Sequence, residues 1–179
     1  MKRNPIYGDA KTVKCCSDIY GTKVTAYFYV GDIIKEGEPF GANEDTAYID
    51  DMGSEWHKGH LLAKSLGGDN KPHNLLPMKE DVNNSNFKKV ENLVHKLIEN
   101  LPKIQKQLNV GDIHIQYTVE RVLKPIKVVK GHKFPGQFKY SIDIINDKEL
   151  NVNSVELFKV FKGIGLVIDT KLSDTLCVE

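Results

Sequence analysis

Between residues 79 and about 100, apolar side chains recur every three or four positions, which is the spacing of one face of an α-helix. These apolar positions are Phe87, Val90, Val94, Leu97 and Leu101. The pattern predicts the main helix of the protein. Pro102 either ends this helix or starts a short extension through Gln107, and residues 109–112, Asn-Val-Gly-Asp, are predicted to form a turn.

Segments rich in alternating, aromatic and β-branched residues predict strands on both sides of the helix. They cover residues 11–16, 25–30, 46–50, 113–122 and 137–144. The first two are expected to form a hairpin with its turn near residues 20–22, Tyr-Gly-Thr. The last two are expected to pair antiparallel, and the basic stretch between them, residues 124–133, contains the turn residues.

Residues 146–179 are expected to hold a helix at 154–161 and a strand at 165–168. No internal repeat or low-complexity linker divides the chain, so one domain is predicted. Its strands and its main amphipathic helix indicate an α+β fold built on an antiparallel sheet. Residues 1–145 form the body of this predicted domain, and residues 146–179 are a small C-terminal appendage of it.

The composition is that of a soluble globular protein, with 40% hydrophobic and 27% charged residues. No run of about 18 apolar residues is present, so neither a membrane-spanning helix nor a membrane partner is expected. The basic N-terminus is followed by no apolar stretch, which predicts no signal peptide. The protein is therefore expected in the cytoplasm of the producing cell, or delivered to a target cell by a non-classical secretion route.

Charge and cysteine content narrow the function classes. The formal net charge of +1 argues against a protein that coats nucleic acid, whereas an enzyme needs only a local basic surface. Cys15 and Cys16 are neighbours and Cys177 is left over, so no disulfide framework is predicted. The three cysteines also lack C-x-x-C spacing, which excludes a zinc finger or a redox pair built on them.

The residues between Trp56 and Glu91 carry the candidate chemistry. His60 follows a predicted strand, where loops commonly present catalytic groups, and Gly59 before it permits close approach of a phosphate. A loop rich in Gly, Asn and Pro then leads to Asn83 at the start of the helix. A histidine can activate water, and a neutral amide ligand leaves a divalent cation electrophilic. A one-metal phosphodiesterase needs both groups.

Two of these positions have alternative interpretations. Asn83 is placed to act as the helix N-cap, or to face an anion at the positive end of the helix dipole, and the neighbouring asparagines compete for either role. Glu91 lies nearly on the same helix face but about 12 Å further along the axis. Both side chains therefore cannot bind one ion directly. Glu91 either reaches a metal-bound water or pairs with Lys88 or His95.

Taken in order, the motifs resemble those of one family. They are residues 58–63 (Lys-Gly-His-Leu-Leu-Ala), the Leu-Gly-Gly turn at 66–68, residues 74–78 (Asn-Leu-Leu-Pro-Met), Asn83 and Glu91. Together they resemble the DNA/RNA non-specific endonucleases of the ββα-metal (His-Me finger) group, and most of all the branch found as toxin domains of bacterial secreted antibacterial proteins. The resemblance covers about residues 46–145, with a catalytic core at 46–100.

The resemblance implies a metal-dependent endonuclease. His60 would be the general base that deprotonates the attacking water, and Asn83 the sole protein side chain on a single Mg²⁺, for which Mn²⁺ could substitute. Glu91 would orient a metal-bound water, Lys58 would contact phosphate, and Asn74 would shape the loop. The implied substrates are DNA and RNA, and the implied partner in the producing cell is an immunity protein.

Departures from the family pattern leave a second interpretation open. Many members read Asp-Arg-Gly-His where this chain has His-Lys-Gly-His at residues 57–60, and lysine lacks the bidentate fork of arginine. The protein could then be a weakly active or inactive module that binds nucleic acid or a protein partner. A further basic set is a candidate track for the phosphate backbone, or else a solvated loop. It consists of Arg121, Lys124, Lys127, Lys130 and Lys133.

Overall fold

The computed structural model describes residues 8–15, 18–32, 47–146, 148 and 151–178. Its main elements are, in chain order, β1 (Gly8–Cys15), β2 (Asp18–Tyr29), α1 (Tyr48–Asp51), β3 (Trp56–His60), β4 (Leu75–Lys79), α2 (Lys88–Leu108), β5 (Ile113–Val129), β6 (His132–Asn146), α3 (Ser154–Gly163) and β7 (Ser173–Cys177). Two 3₁₀ turns (Lys64–Leu66 and Pro72–Asn74) and a π-helical turn (Val82–Phe87) lie between β3 and α2. No helix in these described ranges is long and apolar enough to cross a membrane.

Five antiparallel strands form the main sheet, in the order β1–β2–β5–β6–β7. The pair predicted from residues 113–122 and 137–144 is confirmed, because β5 and β6 run antiparallel with Tyr117 opposite Ile142. Alternate residues of β5 face inward, and Tyr117 and Val119 are almost fully buried. This apolar face of the sheet forms one side of the core.

A ββα unit packs against this face. β3 and β4 form a two-stranded antiparallel sheet, with Trp56 opposite Lys79 and His60 opposite Leu75. α2 follows and buries the apolar face that its residue spacing predicts, at Val90, Leu93, Val94, Leu97, Leu101 and Ile104. The predicted α+β fold, with an antiparallel sheet and one main helix, is thus confirmed.

α2 continues through Pro102 to Leu108, and Asn109 is its C-cap. Pro102 lies on the exposed side of the helix, while Leu101 and Ile104 are fully buried, so side-chain packing holds the helix together where the N–H bond is missing. Asn109 adopts a left-handed conformation (φ 52°), and its N–H donates to carbonyl groups of the last helical turn. The extension past Pro102, one of the two outcomes considered, is confirmed.

Two predictions for the N-terminal half are wrong. Residues 20–22, expected to form a hairpin turn, lie inside β2, because the β1–β2 hairpin closes with Cys15 opposite Asp18. Residues 46–50, expected to form a strand, contain the start of α1, where consecutive residues rather than alternate ones are buried. A single helical turn is too short for periodicity to distinguish a helix from a strand.

The basic stretch also differs from the prediction. β5 and β6 extend through most of residues 124–133, so that only Lys130 and Gly131 form the turn, both with positive φ (47° and 87°). A register irregularity between Val122 and Ile126 spans the proline at 125, which cannot donate a ladder hydrogen bond.

In the C-terminal region, the helix predicted at 154–161 is confirmed as α3, which contacts α2. The strand predicted at 165–168 is wrong, since this described segment is not in a strand and β7 pairs with β6 instead. The apolar pattern of 165–168 has another cause. Leu166 and Ile168 are partly buried against the core. Apolar residues therefore alternate along this segment although it pairs with no strand.

Val178 joins the two layers of the fold. Its carbonyl oxygen accepts a hydrogen bond from the Lys79 N–H at 2.8 Å, and its own N–H donates to the Gly136 carbonyl oxygen at 3.0 Å. Val178 is fully buried. One C-terminal residue therefore fastens the end of β4 to the main sheet.

Candidate active site

An open cleft of about 370 Å³ lies between the loop after β3 and the beginning of the helix. It is lined by Lys58, His60, Ala63, Lys64, Ser65, Asn83, Asn84, Lys88 and Glu91. The four residues predicted to be catalytic, Lys58, His60, Asn83 and Glu91, all line this cleft. The fold thus brings together side chains that the sequence distributes over β3, a π-helical turn and α2.

His60 ends β3 and is held by the loop that follows. Its Nε2 lies 2.7 Å from Asn70 Oδ1. Because an amide oxygen only accepts hydrogen bonds, Nε2 carries the proton and Nδ1 the lone pair of the neutral imidazole. Burial lowers the pKa of His60 below 6.5, against opposing contributions from the Asn70 hydrogen bond and the Glu91 carboxylate. His60 is therefore neutral at pH 7, the state that a general base requires.

Asn74 organises the loop between β3 and β4. Its side chain is completely buried, and its Oδ1 accepts from the Leu62 N–H at 2.8 Å. Its Nδ2 donates to the carbonyl oxygens of Leu62 and Asp69 at 2.9 and 2.8 Å. The Asn74 carbonyl oxygen also accepts from the Leu61 N–H at 2.8 Å. One amide thus closes the loop that carries Asn70, as expected of a loop-shaping residue.

Three glycines are required for different reasons. Gly67 has a positive φ of 91°, and a Cβ on Gly68 would lie 1.8 Å from the Leu62 carbonyl oxygen, so the loop admits no side chain there. A Cβ on Gly59 would lie 2.5 Å from Met78 Sδ across the β3–β4 hairpin. A side chain at position 59 would therefore displace the buried Met78 side chain within the hairpin.

Asn83 does not cap the helix. The N-cap is Asp81, whose side chain accepts from the Val82 N–H at 2.9 Å. Asn83 instead lies in the π-helical turn Val82–Phe87, a geometry often found at functional sites, and no hydrogen bond joins its amide to another residue in the described part of the chain. Its neighbour Asn84 also lines the cleft.

Glu91 is buried and forms an ion pair with Lys88. The Lys88 Nζ lies 2.8 Å from Glu91 Oε2, and only 8% of Glu91 is exposed. His95, the other partner considered, instead places its Nε2 2.9 Å from Ser65 Oγ. Glu91 thus presents a carboxylate to the cleft that is held in position by a neighbouring ammonium group.

Lys58 is bound by an acid that sequence analysis missed. Its Nζ lies 2.7 Å from Asp50 Oδ2 on α1. The carboxylate beside Lys58 therefore comes from another element than β3. The interpretation of this segment as a strand hid that role, and Asn70, Lys64 and Ser65 were missed because no sequence pattern marks them.

The candidate basic track is divided between the core and the β5–β6 hairpin. Arg121 is on the inward face of β5 and is buried, so it does not present a phosphate-binding group at the surface. The side chain of Lys124 lies outside the described residues. Lys127, Lys130 and Lys133 lie on the β5–β6 hairpin, and none of them lines the cleft. Lys130 Nζ donates to the Asp51 carbonyl oxygen at 3.1 Å, which fastens the hairpin to α1.

Tyr117 connects the main sheet to the loop that follows His60. Its hydroxyl donates to the Leu61 carbonyl oxygen at 3.4 Å. Burial first, and the Glu91 carboxylate second, raise the pKa of Tyr117 well above its ordinary value. The phenol therefore stays neutral and supports the residue next to His60.

The donor set of the cleft fits a hard divalent cation. Among the described residues, no group of three or more His, Cys, Asp or Glu side chains is placed to hold a metal, so a closed zinc-type site is not formed there. The cleft offers the amide oxygen of Asn83 and the carboxylate of Glu91. Mg²⁺ prefers a site with few protein oxygens, in which it keeps several bound waters.

Comparison with curated proteins finds no match. The model of one family, described as DNA/RNA non-specific endonuclease, matches residues 39–128. That stretch makes up half of the chain and contains every residue that lines the cleft. The family is one of metal-dependent nucleases, and nucleic acid is its substrate. The chain belongs to the DNA/RNA non-specific endonuclease family and is a nuclease.

Proposed function

We propose that the protein is a Mg²⁺-dependent endonuclease that hydrolyses phosphodiester bonds of both DNA and RNA, with His60 as general base. The observation that carries this proposal is the placement of His60, Asn83 and Glu91 in one cleft together with three lysines. In the described part of the cleft lining, the lysines, Lys58, Lys64 and Lys88, outnumber the one carboxylate, which favours a polyanionic substrate.

In the proposed mechanism, Nδ1 of His60 accepts the proton of the water that attacks phosphorus. Asn70 holds the imidazole in the tautomer that makes Nδ1 the acceptor. Asn83 would hold the ion through its amide oxygen, and Glu91 would accept hydrogen bonds from water around it. When bound, Mg²⁺ supplies positive charge that stabilises the leaving 3′ oxygen, and Mn²⁺ is expected to substitute.

Lys58 and Lys88 would neutralise substrate phosphates. Each ammonium group is held by one carboxylate, Asp50 and Glu91 respectively, at 2.7 and 2.8 Å. Lysine contributes charge without the paired hydrogen bonds of arginine, so these contacts carry no sequence information. This agrees with cleavage of low sequence specificity.

The biological role we propose is that of an antibacterial toxin nuclease. Support comes from the resemblance of residues 58–91 to the toxin-domain branch. Such a nuclease would need an immunity protein in the producing cell, and the exposed lysines beside the cleft suit an acidic partner.

The metal requirement tests the proposed activity directly. Plasmid DNA and structured RNA should both be degraded to a smear with Mg²⁺ or Mn²⁺, and EDTA should abolish degradation of both. Asn83→Ala should raise the Mg²⁺ concentration for half-maximal rate by about 10-fold or more, as expected on loss of the only direct protein ligand. Asn86→Ala, in the same π-helical turn but outside the cleft lining, is the matched control.

Discrete bands would instead indicate a sequence-specific nuclease. Tight binding of DNA without degradation, by a folded protein in Mg²⁺, would contradict the proposal and favour the non-catalytic binding module. The replacement of the usual arginine by Lys58 is the feature that motivates this second candidate function.

The pH dependence follows from the environment of His60. Only the neutral imidazole accepts a proton, and burial lowers its pKa, so kcat/KM should fall at acid pH with its midpoint below 6.5. The decline should approach tenfold per pH unit in steady-state assays at saturating Mg²⁺. A midpoint above 6.5 would contradict the assignment of His60, and the residual activity of a His60→Ala variant should lack this acid limb.

A further inference from the structure

A second cleft of about 310 Å³ adjoins the catalytic cleft. Four of its lining residues, Lys89, Asn92, His95 and Lys96, are on α2, and the fifth, Asp169, comes from the segment after α3. The two clefts share a wall. His95 lines the second cleft, and its Nε2 lies 2.9 Å from Oγ of Ser65, which lines the first.

Helix geometry places lining residues of the two clefts at neighbouring positions on α2. Lys88 and Glu91 face the catalytic cleft, and Asn92 and His95, each four residues later, lie one turn further along the same side of α2. From Lys88 to Lys96 the axis advances about 12 Å. That distance corresponds to roughly three to four nucleotides at 3.4 Å of rise per residue of one strand.

The chemistry of the second cleft is that of a phosphate-binding surface. Lys89, Asn92 and Lys96 are exposed and offer two ammonium groups and one amide. Asp169 is the one acid among the described lining residues, so their formal charge is positive even with His95 neutral. Lysine and asparagine side chains are common ligands of backbone phosphates.

We propose that this second cleft binds the phosphodiester backbone of the substrate a few nucleotides away from the bond that is cleaved. The inference rests on the proposed nuclease function and extends its substrate site. It also assigns a role to a segment outside the residues matched by the family model, which end at 128.

The C-terminal segment supplies the far wall. Ile164, Leu166 and Ile168 are partly buried against the core. The N–H groups of Ile164 and Leu166 donate to carbonyl oxygens of α3 at 3.0 and 2.8 Å. Asp169 follows directly and lines the cleft opposite α2. Its carboxylate repels phosphate, so it weakens binding to a surface that the lysines would otherwise hold more tightly.

The experiment compares a long substrate with a minimal one. Single-stranded DNA of about 20 nucleotides can span both clefts, whereas bis(p-nitrophenyl) phosphate occupies only the catalytic cleft. The double variant Lys89→Gln/Lys96→Gln should lower kcat/KM for the long substrate roughly 5- to 10-fold, the effect of two exposed ion pairs, and leave the small diester unaffected. The slope of log kcat/KM against log salt should become shallower by about 1.4.

Two further variants make the comparison sharp. The double variant Lys103→Gln/Lys106→Gln removes the same charge from exposed positions further along α2. It should leave kcat/KM unchanged for both substrates. Asp169→Asn should act in the opposite direction and raise kcat/KM for long DNA two- to threefold. Binding of the same DNA, measured by fluorescence anisotropy in EDTA, should follow the same order among the variants.

Three results would overturn the inference. If Lys89→Gln/Lys96→Gln lowered kcat/KM equally for the small diester, the substitutions would be acting on the structure of the catalytic cleft. If the control double variant lowered kcat/KM for long DNA equally, the effect would come from net charge and not from this cleft. No change in either kinetics or DNA binding with Lys89→Gln/Lys96→Gln would exclude the cleft as a substrate site. If no substrate is hydrolysed by any variant, the proposed function fails, and the binding measurements still decide whether the second cleft holds nucleic acid.

Discussion

Replacing His60 with alanine is expected to lower kcat for phosphodiester hydrolysis by about 10²- to 10⁴-fold, the usual contribution of a general base. The variant loses the one imidazole that lines the catalytic cleft among the residues the structure describes. Its loss should affect kcat far more than KM, because phosphate is held by lysines and not by His60. Single-turnover assays with a fluorescent oligonucleotide in saturating Mg²⁺ would measure the chemical step.

His57→Ala is the matched control for this prediction. His57 lies in the same strand, three residues earlier, and does not line the cleft. The control should keep its rate within about twofold of the wild type. Retention of activity by His60→Ala, or an equal loss in His57→Ala, would contradict the role of His60. Thermal unfolding should be compared, so that a loss of fold is not mistaken for a loss of chemistry.

Asn74→Ala is expected to lower the free energy of unfolding by roughly 3–6 kcal/mol, because it leaves two buried backbone groups without partners at about 1–3 kcal/mol each, and a third, partly buried group at less. Those groups are the N–H and carbonyl of Leu62 and the carbonyl of Asp69. The change is a large fraction of the stability of a typical domain. Urea unfolding followed by circular dichroism would measure it.

Asn74→Asp tests the hydrogen bonds of this side chain with almost no change in its volume. It keeps an acceptor for the Leu62 N–H but turns an oxygen towards two carbonyl groups in place of the amide donor. It should therefore destabilise the protein at least as much as alanine. Asn86→Ala, at an exposed asparagine, should change stability by no more than about 0.5 kcal/mol. Wild-type stability of Asn74→Asp would contradict the hydrogen-bond pattern around this amide.

Long periodic segments determined most of what the sequence predicted correctly. α2 repeats its apolar face over several turns, and β5 and β6 alternate over many residues, so each pattern outweighs local exceptions such as Pro102. α1 consists of a single turn. Its burial pattern contains too few residues to reveal a helix, and the strand prediction there was wrong.

The candidate site was only partly predictable, for a different reason. His60, Asn83 and Glu91 belong to an ordered motif, so their convergence could be expected. The contacts that hold the site were not encoded in any local pattern. The Lys58–Asp50 ion pair and the His60–Asn70 hydrogen bond join separate elements across a loop, and only the packed fold determines which side chains meet.

The hydrogen bond from Lys79 to Val178 has a consequence for the synthesis of the protein. The ribosome makes β4 about 100 residues before Val178, an interval of roughly 5–20 s at ordinary elongation rates. During that time the last N–H of β4 lacks this acceptor, and the wall formed by Asp169 beside the catalytic cleft has not been made. The residues that line the catalytic cleft are therefore synthesised well before Asp169 and Val178, and the surface around the cleft is completed only after that later segment has been made.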